Sequence, residues 1–135
     1  MSNEHFIADI PVKAWIRKGE EVLMVKESDG RWTFPGGRMH GNESPRDALA
    51  REMKEEVGLD VTAGDVLDCF PFTSASGQHH FVVIFEASLV DDDQVPVLDK
   101  KEVTEYKWMN LSDFEKYKVW DLYHESAEKL FKMKK

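Results

Sequence analysis

The sequence predicts an α/β fold, arranged as an α/β/α sandwich with a mixed β-sheet. Three observations support this prediction. The predicted elements run in the order strands, helix, strands, helix; the first helix has clear start and stop signals; and residues 79–90 form a strongly apolar β run. Strands that do not alternate regularly with helices favour a mixed sheet over a parallel one. With 135 residues, one domain covering positions 1–135 is expected.

The chain begins with two apolar segments. Residues 10–16 and 21–25 are joined by Lys18-Gly19-Glu20, a pattern that predicts a β-hairpin. Further along, Pro35-Gly36-Gly37 is predicted to break any regular element before the first helix.

The first helix is predicted to span Pro45–Val57. Ser44 is a suitable N-cap, Pro45 fits the first helical position, and Asp47 stands where an acid completes a capping box. Gly58 is suited to the left-handed conformation that ends many helices.

The second half of the chain contains further strands and a terminal helix. Strands are predicted at 65–72, 79–90 and 102–109, followed by a helical turn at 112–116 and an amphipathic helix at 120–133. The acids at 91–93 lack a turn glycine and calcium-loop spacing, so a solvated loop is expected there. Lys132, Lys134 and Lys135 are expected to form a solvated tail.

Charge and cysteine content restrict the function classes. The net charge of −8 argues against broad binding to nucleic acid, which needs a basic surface. An acidic chain can still hold a polyphosphate through a divalent cation. The single cysteine, Cys69, excludes an intrachain disulfide and is expected to be a small core residue, which favours a reducing, cytoplasmic location. No apolar run is long enough to predict membrane association.

The first helix carries three carboxylates on one face. Glu52, Glu55 and Glu56 stand at i, i+3 and i+4, where like charges destabilise a helix by about 0.2–0.5 kcal/mol per pair. They also lie toward the helix C-terminus, which disfavours negative charge. A bound cation would relieve both costs. The alternative is a solvent-facing acidic stripe, which is common on surface helices.

The surroundings of this helix favour the cation. Gly37 is followed after five residues by Glu43, then after seven residues by Arg51-Glu52-Met53, one residue, Glu55-Glu56, one residue, and Gly58-Leu59. This pattern over residues 37–59 resembles the Nudix box at every fixed position. The preceding residues 32–37 also look like the strand that enters the box in that family.

The resemblance implies a fold and a set of site residues. It implies a Nudix-type sandwich that uses Mg²⁺, with Mn²⁺ as an alternative. Glu52 and Glu56 match the family's metal ligands. Glu55 matches a further metal ligand or a partner in activating water, and Gly37 matches a residue whose backbone carbonyl binds the metal. Arg51 matches a residue that orients the catalytic helix together with Glu43. Glu52 is the first choice for the catalytic base and Glu55 the second.

Further candidates are less specific. The family often adds an acid from a later strand, and Glu102 is preferred to Glu105 because of its distance from Trp108. Arg38 and Lys26 are candidates for contact with a phosphate, and both are equally explained as solvated cations. His79 and His80 are neighbours on a predicted strand, so they are expected to face opposite sides and not to share a metal.

The expected reaction is hydrolysis of a diphosphate bond in a small-molecule nucleotide. Ala75, Ser76 and Gly77 stand where the family's ADP-ribose and dinucleoside polyphosphate subgroups carry proline or tyrosine markers, so a nucleoside triphosphate is favoured. The alternatives are those two substrate classes, a sugar nucleotide, an RNA end, or a non-catalytic ligand-binding regulator. Aromatic residues in 70–72 and 120–131 allow a homodimer as well as a covered sheet.

Overall fold

The computed structural model describes residues 4–133 and contains eight strands and three helices within them. The strands are β1 (Pro11–Trp15), β2 (Arg17–Lys18), β3 (Glu21–Glu27), β4 (Trp32–Thr33), β5 (Gly36–Arg38), β6 (Val61–Thr73), β7 (His79–Leu89) and β8 (Val103–Met109). The helices are α1 (Pro45–Val57), α2 (Asp113–Lys116) and α3 (Asp121–Phe131).

The strands form two four-stranded sheets. The first has the order β5-β1-β7-β6, with β1 parallel to β7 and the other neighbours antiparallel. The second is antiparallel, with β3 pairing β2, β4 and β8. The mixed pairing of the first sheet agrees with the predicted α/β class.

Two hydrophobic cores lie on opposite sides of the strands. One contains the apolar stripe of α1, and the other contains the buried face of α3. Strand β1 contributes to both, because Val12 and Ala14 belong to the first core and Trp15 to the second. Alternate side chains of a strand point to opposite faces, so the strands lie between α1 and α3. This is the layer order predicted from the sequence.

Helix α1 has the predicted bounds and caps. The Ser44 hydroxyl accepts a hydrogen bond from the Asp47 backbone N–H at 3.1 Å, Pro45 opens the helix, and Gly58 ends it with φ +67°. These local signals fix where the helix begins and ends, and therefore which carboxylates share a face.

The predicted hairpin of residues 10–16 with 21–25 is wrong. Strand β1 pairs with β5 and β7 in the first sheet, whereas β3 belongs to the second. The chain changes sheets at Ile16, and only β2 forms a hairpin with β3. Apolar residues on both faces of β1 are typical of a central strand. That pattern does not indicate which strands pair with it.

The prediction that 35–37 breaks regular structure is also wrong. Gly36 and Gly37 begin β5, which pairs with β1. Gly36 has φ +134°, and a Cβ there would lie 2.1 Å from the Val12 carbonyl oxygen. Glycine therefore allows the two backbones to approach closely, which a turn-forming composition does not reveal.

Several smaller expectations differ from the structure. Cys69 is exposed on β6 and is not a core residue, because β6 is irregularly paired and largely covered on one side only. Strand β6 begins at Val61 and α3 ends at Phe131, so the strand is longer and the helix shorter than predicted. The predicted tail residues Lys134 and Lys135 lie outside the described residues. Between residues 4 and 133, none of the helices has the length and apolar character needed to cross a membrane.

Candidate active site

A cleft of about 1090 Å³ opens beside α1 and reaches across the first sheet to α3. One end is acidic and the other is aromatic. The acidic end is lined by Gly36, Gly37, Glu52, Glu55, Glu56 and Glu102, and the aromatic end by Phe72, His80, Trp120 and Tyr123.

The carboxylates of α1 differ in burial. Glu52 and Glu56 are only 8% and 6% exposed, whereas Glu55 is exposed. The Gly36 N–H donates to Glu56 Oε1 at 3.0 Å. A Cβ on Gly37 would lie 2.3 Å from Glu52 Oε2, so glycine is needed there for the carboxylate to occupy its place. Strand β5 and helix α1 therefore fit together through these two acids.

Burial makes the two inner carboxylates hard to ionise in the free protein. It raises the pKa of Glu56 to about 7, against the lowering effects of Lys13 and of the Gly36 hydrogen bond. Burial also raises the pKa of Glu52, although Arg51 works in the other direction. A divalent cation between them would favour the ionised form of both, since opposite charge offsets desolvation.

Arg51 fixes the orientation of α1. Its guanidinium binds Glu43 through two hydrogen bonds, Nε to Oε2 at 2.9 Å and Nη2 to Oε1 at 2.6 Å, and donates to the Arg38 carbonyl at 3.1 Å. It also lies 3.2 Å from Glu55 Oε1. The bond to Arg51 holds the pKa of Glu43 down at about 2, so this pair stays ionised at any ordinary pH.

The segment before β8 brings a fourth carboxylate to the cleft. The Asp99 N–H donates to the Glu56 carbonyl at 2.9 Å, and the Glu102 N–H donates to the Asp99 carbonyl at 2.9 Å. Glu102 consequently lines the cleft, whereas Glu105 lies 3.0 Å from Lys26 in an exposed ion pair outside its lining. Of the weaker candidates, the structure brings in Glu102 and leaves out Lys26.

Arg38 lies at the edge of the cleft. Its side chain is 62% exposed and lies 3.2 Å from Asp9 Oδ2. The same Asp9 carboxylate accepts hydrogen bonds from Gln78 and from His80 Nδ1. Arg38 can therefore contact a phosphate only if its guanidinium binds Asp9 and the phosphate together, or if its ion pair with Asp9 breaks.

Lys13 was not singled out from the sequence. It is 7% exposed and lies in the middle of β1, and its Nζ donates to the Gly36 carbonyl at 3.2 Å. Burial alone would lower its pKa, but Tyr123, Glu56 and Glu27 nearby raise it, so the ammonium stays charged. A lysine between apolar residues of a central strand is the signal that could have found it.

Thr33 is the second polar residue missed in the sequence. It is 5% exposed and lines the cleft, and its hydroxyl has no hydrogen-bond partner among residues 4–133. An unsatisfied buried hydroxyl costs about 1–3 kcal/mol, so a ligand atom that bonds to it would recover that cost.

The aromatic end is built by β6, β7 and α3. The Phe72 and His80 rings are stacked with centroids 4.4 Å apart, and the Trp120 ring meets Phe72 edge-on at 4.5 Å. Trp120 also lies 5.1 Å from the Tyr123 ring. His79 is hydrogen-bonded to Thr73 and does not line the cleft, so the two histidines face opposite sides as expected. Trp15 and Trp32 are core residues.

This chain is similar to known proteins in sequence and in fold. The family model described as the NUDIX domain matches residues 10–130. An "8-oxo-dGTP diphosphatase" of Proteus vulgaris is 41% identical over 49% of this chain and 48% of its own length. A "CTP pyrophosphohydrolase" of Escherichia coli is 39% identical over 40% of this chain and 44% of its own length, so the matches span about half of these relatives or less. A "NUDIX hydrolase from Nitrosomonas europaea" has the same fold, with a TM-score of 0.80 and 22% identity over 92% of this chain and 88% of that one.

Proposed function

The chain belongs to the Nudix family, and from this membership we propose that it is a hydrolase of diphosphate bonds in small-molecule nucleotides. The preferred substrate is a nucleoside triphosphate, cleaved to a monophosphate and pyrophosphate. The observation that carries the proposal is the cleft with four glutamates at one end and aromatic rings at the other. The activities for which the Proteus and Escherichia relatives are named support a nucleotide substrate. A cytoplasmic location belongs to the same proposal.

The acidic end suits a hydrated divalent cation. Within residues 4–133, no three His, Cys, Asp or Glu side chains converge into a ready-made metal cage. Mg²⁺ does not need one, since it commonly uses one or two carboxylates and fills its shell with water and substrate phosphates. Glu52 and Glu56 would hold Mg²⁺ or Mn²⁺, with Gly37, Glu55 and Glu102 as further ligands. Such a cation neutralises phosphate charge and makes bound water more acidic.

The protein's own residues position the acids and accept a proton. In the reaction, a bond forms between a water oxygen and the α- or β-phosphorus, the bond from that phosphorus to the oxygen that bridges the two breaks, and the monophosphate and pyrophosphate separate. The proton lost by the water goes to a glutamate, for which Glu52 is the first candidate and the more exposed Glu55 the second. Arg51 holds the helix in register through Glu43, and Arg38 at the cleft edge is available to a phosphate oxygen.

The proposal is tested by product analysis. The purified protein would be incubated with Mg²⁺ and nucleoside triphosphates, ADP-ribose, dinucleoside polyphosphates and sugar nucleotides, with a chelator in parallel samples. We expect a nucleoside monophosphate and pyrophosphate from a triphosphate, and no product with the chelator. Folded protein that cleaves none of these compounds with any divalent cation would contradict a hydrolase and favour a ligand-binding regulator.

The assignment of Glu102 makes a separate prediction. Because Glu102 lines the acidic end, Glu102→Gln should weaken Mn²⁺ binding and lower kcat/KM by about tenfold. Glu105→Gln is the matched control, since it removes the same charge three positions away and breaks only an exposed ion pair with Lys26. Metal titration followed by electron paramagnetic resonance and steady-state kinetics would compare them. Equal effects of the two substitutions would exclude a direct role for Glu102.

A further inference from the structure

Between its acidic and aromatic ends, the cleft is lined by two residues whose hydrogen-bond donors are not fully used. Thr33 lines the cleft, and its buried hydroxyl has no partner within the described part of the chain. Helix α3 begins beside it, since the Trp120 N–H donates to the Trp32 carbonyl at 3.2 Å. The unused hydroxyl therefore lies close to the aromatic end, where a ring would stack.

Lys13 adds a second donor. Its buried ammonium has three N–H groups, and within residues 4–133 the Gly36 carbonyl is its only hydrogen-bond acceptor. This bond places the ammonium beside the acidic end of the cleft, and the charges of Tyr123, Glu56, Glu27 and Glu52 all raise its pKa. An ammonium group cannot accept a hydrogen bond, so it excludes a donor from any position that it faces.

Glu27 supplies an acceptor beside these donors. Glu27 ends strand β3, which pairs with the strand β4 that carries Thr33, and it lies just past a register shift between Lys26 and Glu27. Glu27 lines the cleft and forms no ion pair with any residue from 4 to 133. Two donors and one acceptor therefore line the same cleft.

A flat ring is the ligand that the neighbouring walls suit. The centroid of the Phe72 ring lies 4.4 Å from that of His80 and 4.5 Å from that of Trp120. A nucleobase held against them would turn its polar edge toward Lys13, Thr33 and Glu27, whereas a phosphate placed there would meet the negative charge of Glu27.

We propose that Lys13, Thr33 and Glu27 select a nucleobase with a lactam edge, as in guanine, hypoxanthine and uracil. Lys13 and Thr33 donate to the ring carbonyl, and Glu27 accepts from the adjacent ring N–H. Adenine and cytosine present an amino group and an unprotonated ring nitrogen at that edge. They would place a donor against the ammonium and an acceptor against the carboxylate. This inference rests on the proposed function, because it assumes that a nucleotide is the substrate.

Two pairs of nucleoside triphosphates differ only at the base edge that these three residues are proposed to bind. ITP differs from ATP, and UTP from CTP, by exchange of the carbonyl and ring N–H for the amino group and bare nitrogen. We expect kcat/KM to favour ITP and UTP by about tenfold or more within each pair. No preference, or a preference for ATP and CTP, would overturn the inference while leaving the hydrolase proposal intact.

Two substitutions assign the preference to these residues. Thr33→Val keeps the side-chain shape and removes a hydroxyl without a partner, so it should fold normally and lower both ratios severalfold. Lys13→Met should lower both ratios toward one. The exposed Thr62→Val on β6 is the control and should leave them unchanged. Unchanged ratios in both cleft variants, or an equal loss for all four nucleotides in Lys13→Met, would overturn the assignment.

Binding separates this inference from the hydrolase proposal. Quenching of tryptophan fluorescence, to which Trp120 in the cleft contributes, would give the affinities of IMP, AMP, UMP and CMP in metal-free buffer. Tighter binding of IMP and UMP would support edge selection even if no triphosphate is cleaved. Equal binding of all four would overturn it whatever the enzyme hydrolyses.

Discussion

Glu56→Gln is expected to abolish hydrolysis and, in the absence of metal, to make the protein more stable. The carboxylate lies at the innermost part of the acidic end, and its loss removes a proposed metal ligand. Metal stabilisation of the transition state contributes several kcal/mol, so kcat should fall by about a thousandfold or more. Glutamine keeps the oxygen that accepts from the Gly36 N–H, so the local backbone should not move.

The stability gain follows from the raised pKa of Glu56. The pKa is about 7 in the folded protein and 4.5 in an exposed chain. Between these values the folded state keeps a proton that the unfolded state has released, so stability falls as pH rises from 4.5 through 7. At pH 8 the loss is on the order of 3 kcal/mol, and glutamine removes it.

Urea denaturation in a chelator at pH 5 and pH 8 would measure this effect. Between pH 5 and pH 8, wild-type protein should lose more stability than the Glu56→Gln variant does. Added Mg²⁺ should restore the stability of the wild type at pH 8 and leave that of the variant unchanged. Glu128→Gln, a substitution of an exposed residue on α3, is the control, and its stability should equal that of the wild type at pH 5 and at pH 8. If Glu56→Gln were no more stable than wild type at pH 8, the buried charge would be compensated by other groups.

Gly36→Ala should cause the largest loss of stability among single methyl additions at the site. Its Cβ would overlap the Val12 carbonyl oxygen, 2.1 Å away, in a backbone conformation with φ +134°. Overlap with backbone on an inner strand and the strained φ together should cost about 3–5 kcal/mol. That is a large part of the stability of an ordinary small domain, so partly unfolded protein is expected.

Gly41→Ala is the matched comparison. Gly41 also has a positive φ, +41°, but no atom lies within 4 Å of its Cβ position. Only the backbone cost remains, about 1–2 kcal/mol. Denaturation curves of the two variants would separate overlap from strain. Equal losses would mean that β5 can move away from β1 without penalty.

Local signals in the sequence predicted the bounds of helix α1 correctly. The bounds of α1 and the shared face of its glutamates follow from neighbouring residues and from helical periodicity, which need no knowledge of the rest of the fold. The α/β class and mixed pairing likewise followed from the order of the elements. The resemblance to the Nudix box then named the acids that the structure places along one cleft.

Features that depend on distant partners were not predictable in the same way. The pairing of β1 with β5 and β7 is decided by strands far away in sequence, and an apolar run does not identify them. The exposure of Cys69 depends on which face of β6 is covered. The importance of Lys13 and Thr33 arises from a cleft that many separate segments of the chain enclose, so composition and spacing could not locate it.

The two ends of the cleft are carried by different parts of the chain. The acids come from α1 and the segment before β8, whereas the rings come from β6, β7 and α3. Helix α3 is tied to β6 by its own contacts, with Ser126 and Lys129 bound to Asp68 at 2.6 and 3.0 Å. Phe72 and Trp120 are half-buried and belong to this separate part, whereas Tyr123 is a core residue. A library confined to positions 72 and 120 would therefore vary the aromatic end while leaving the four glutamates in place.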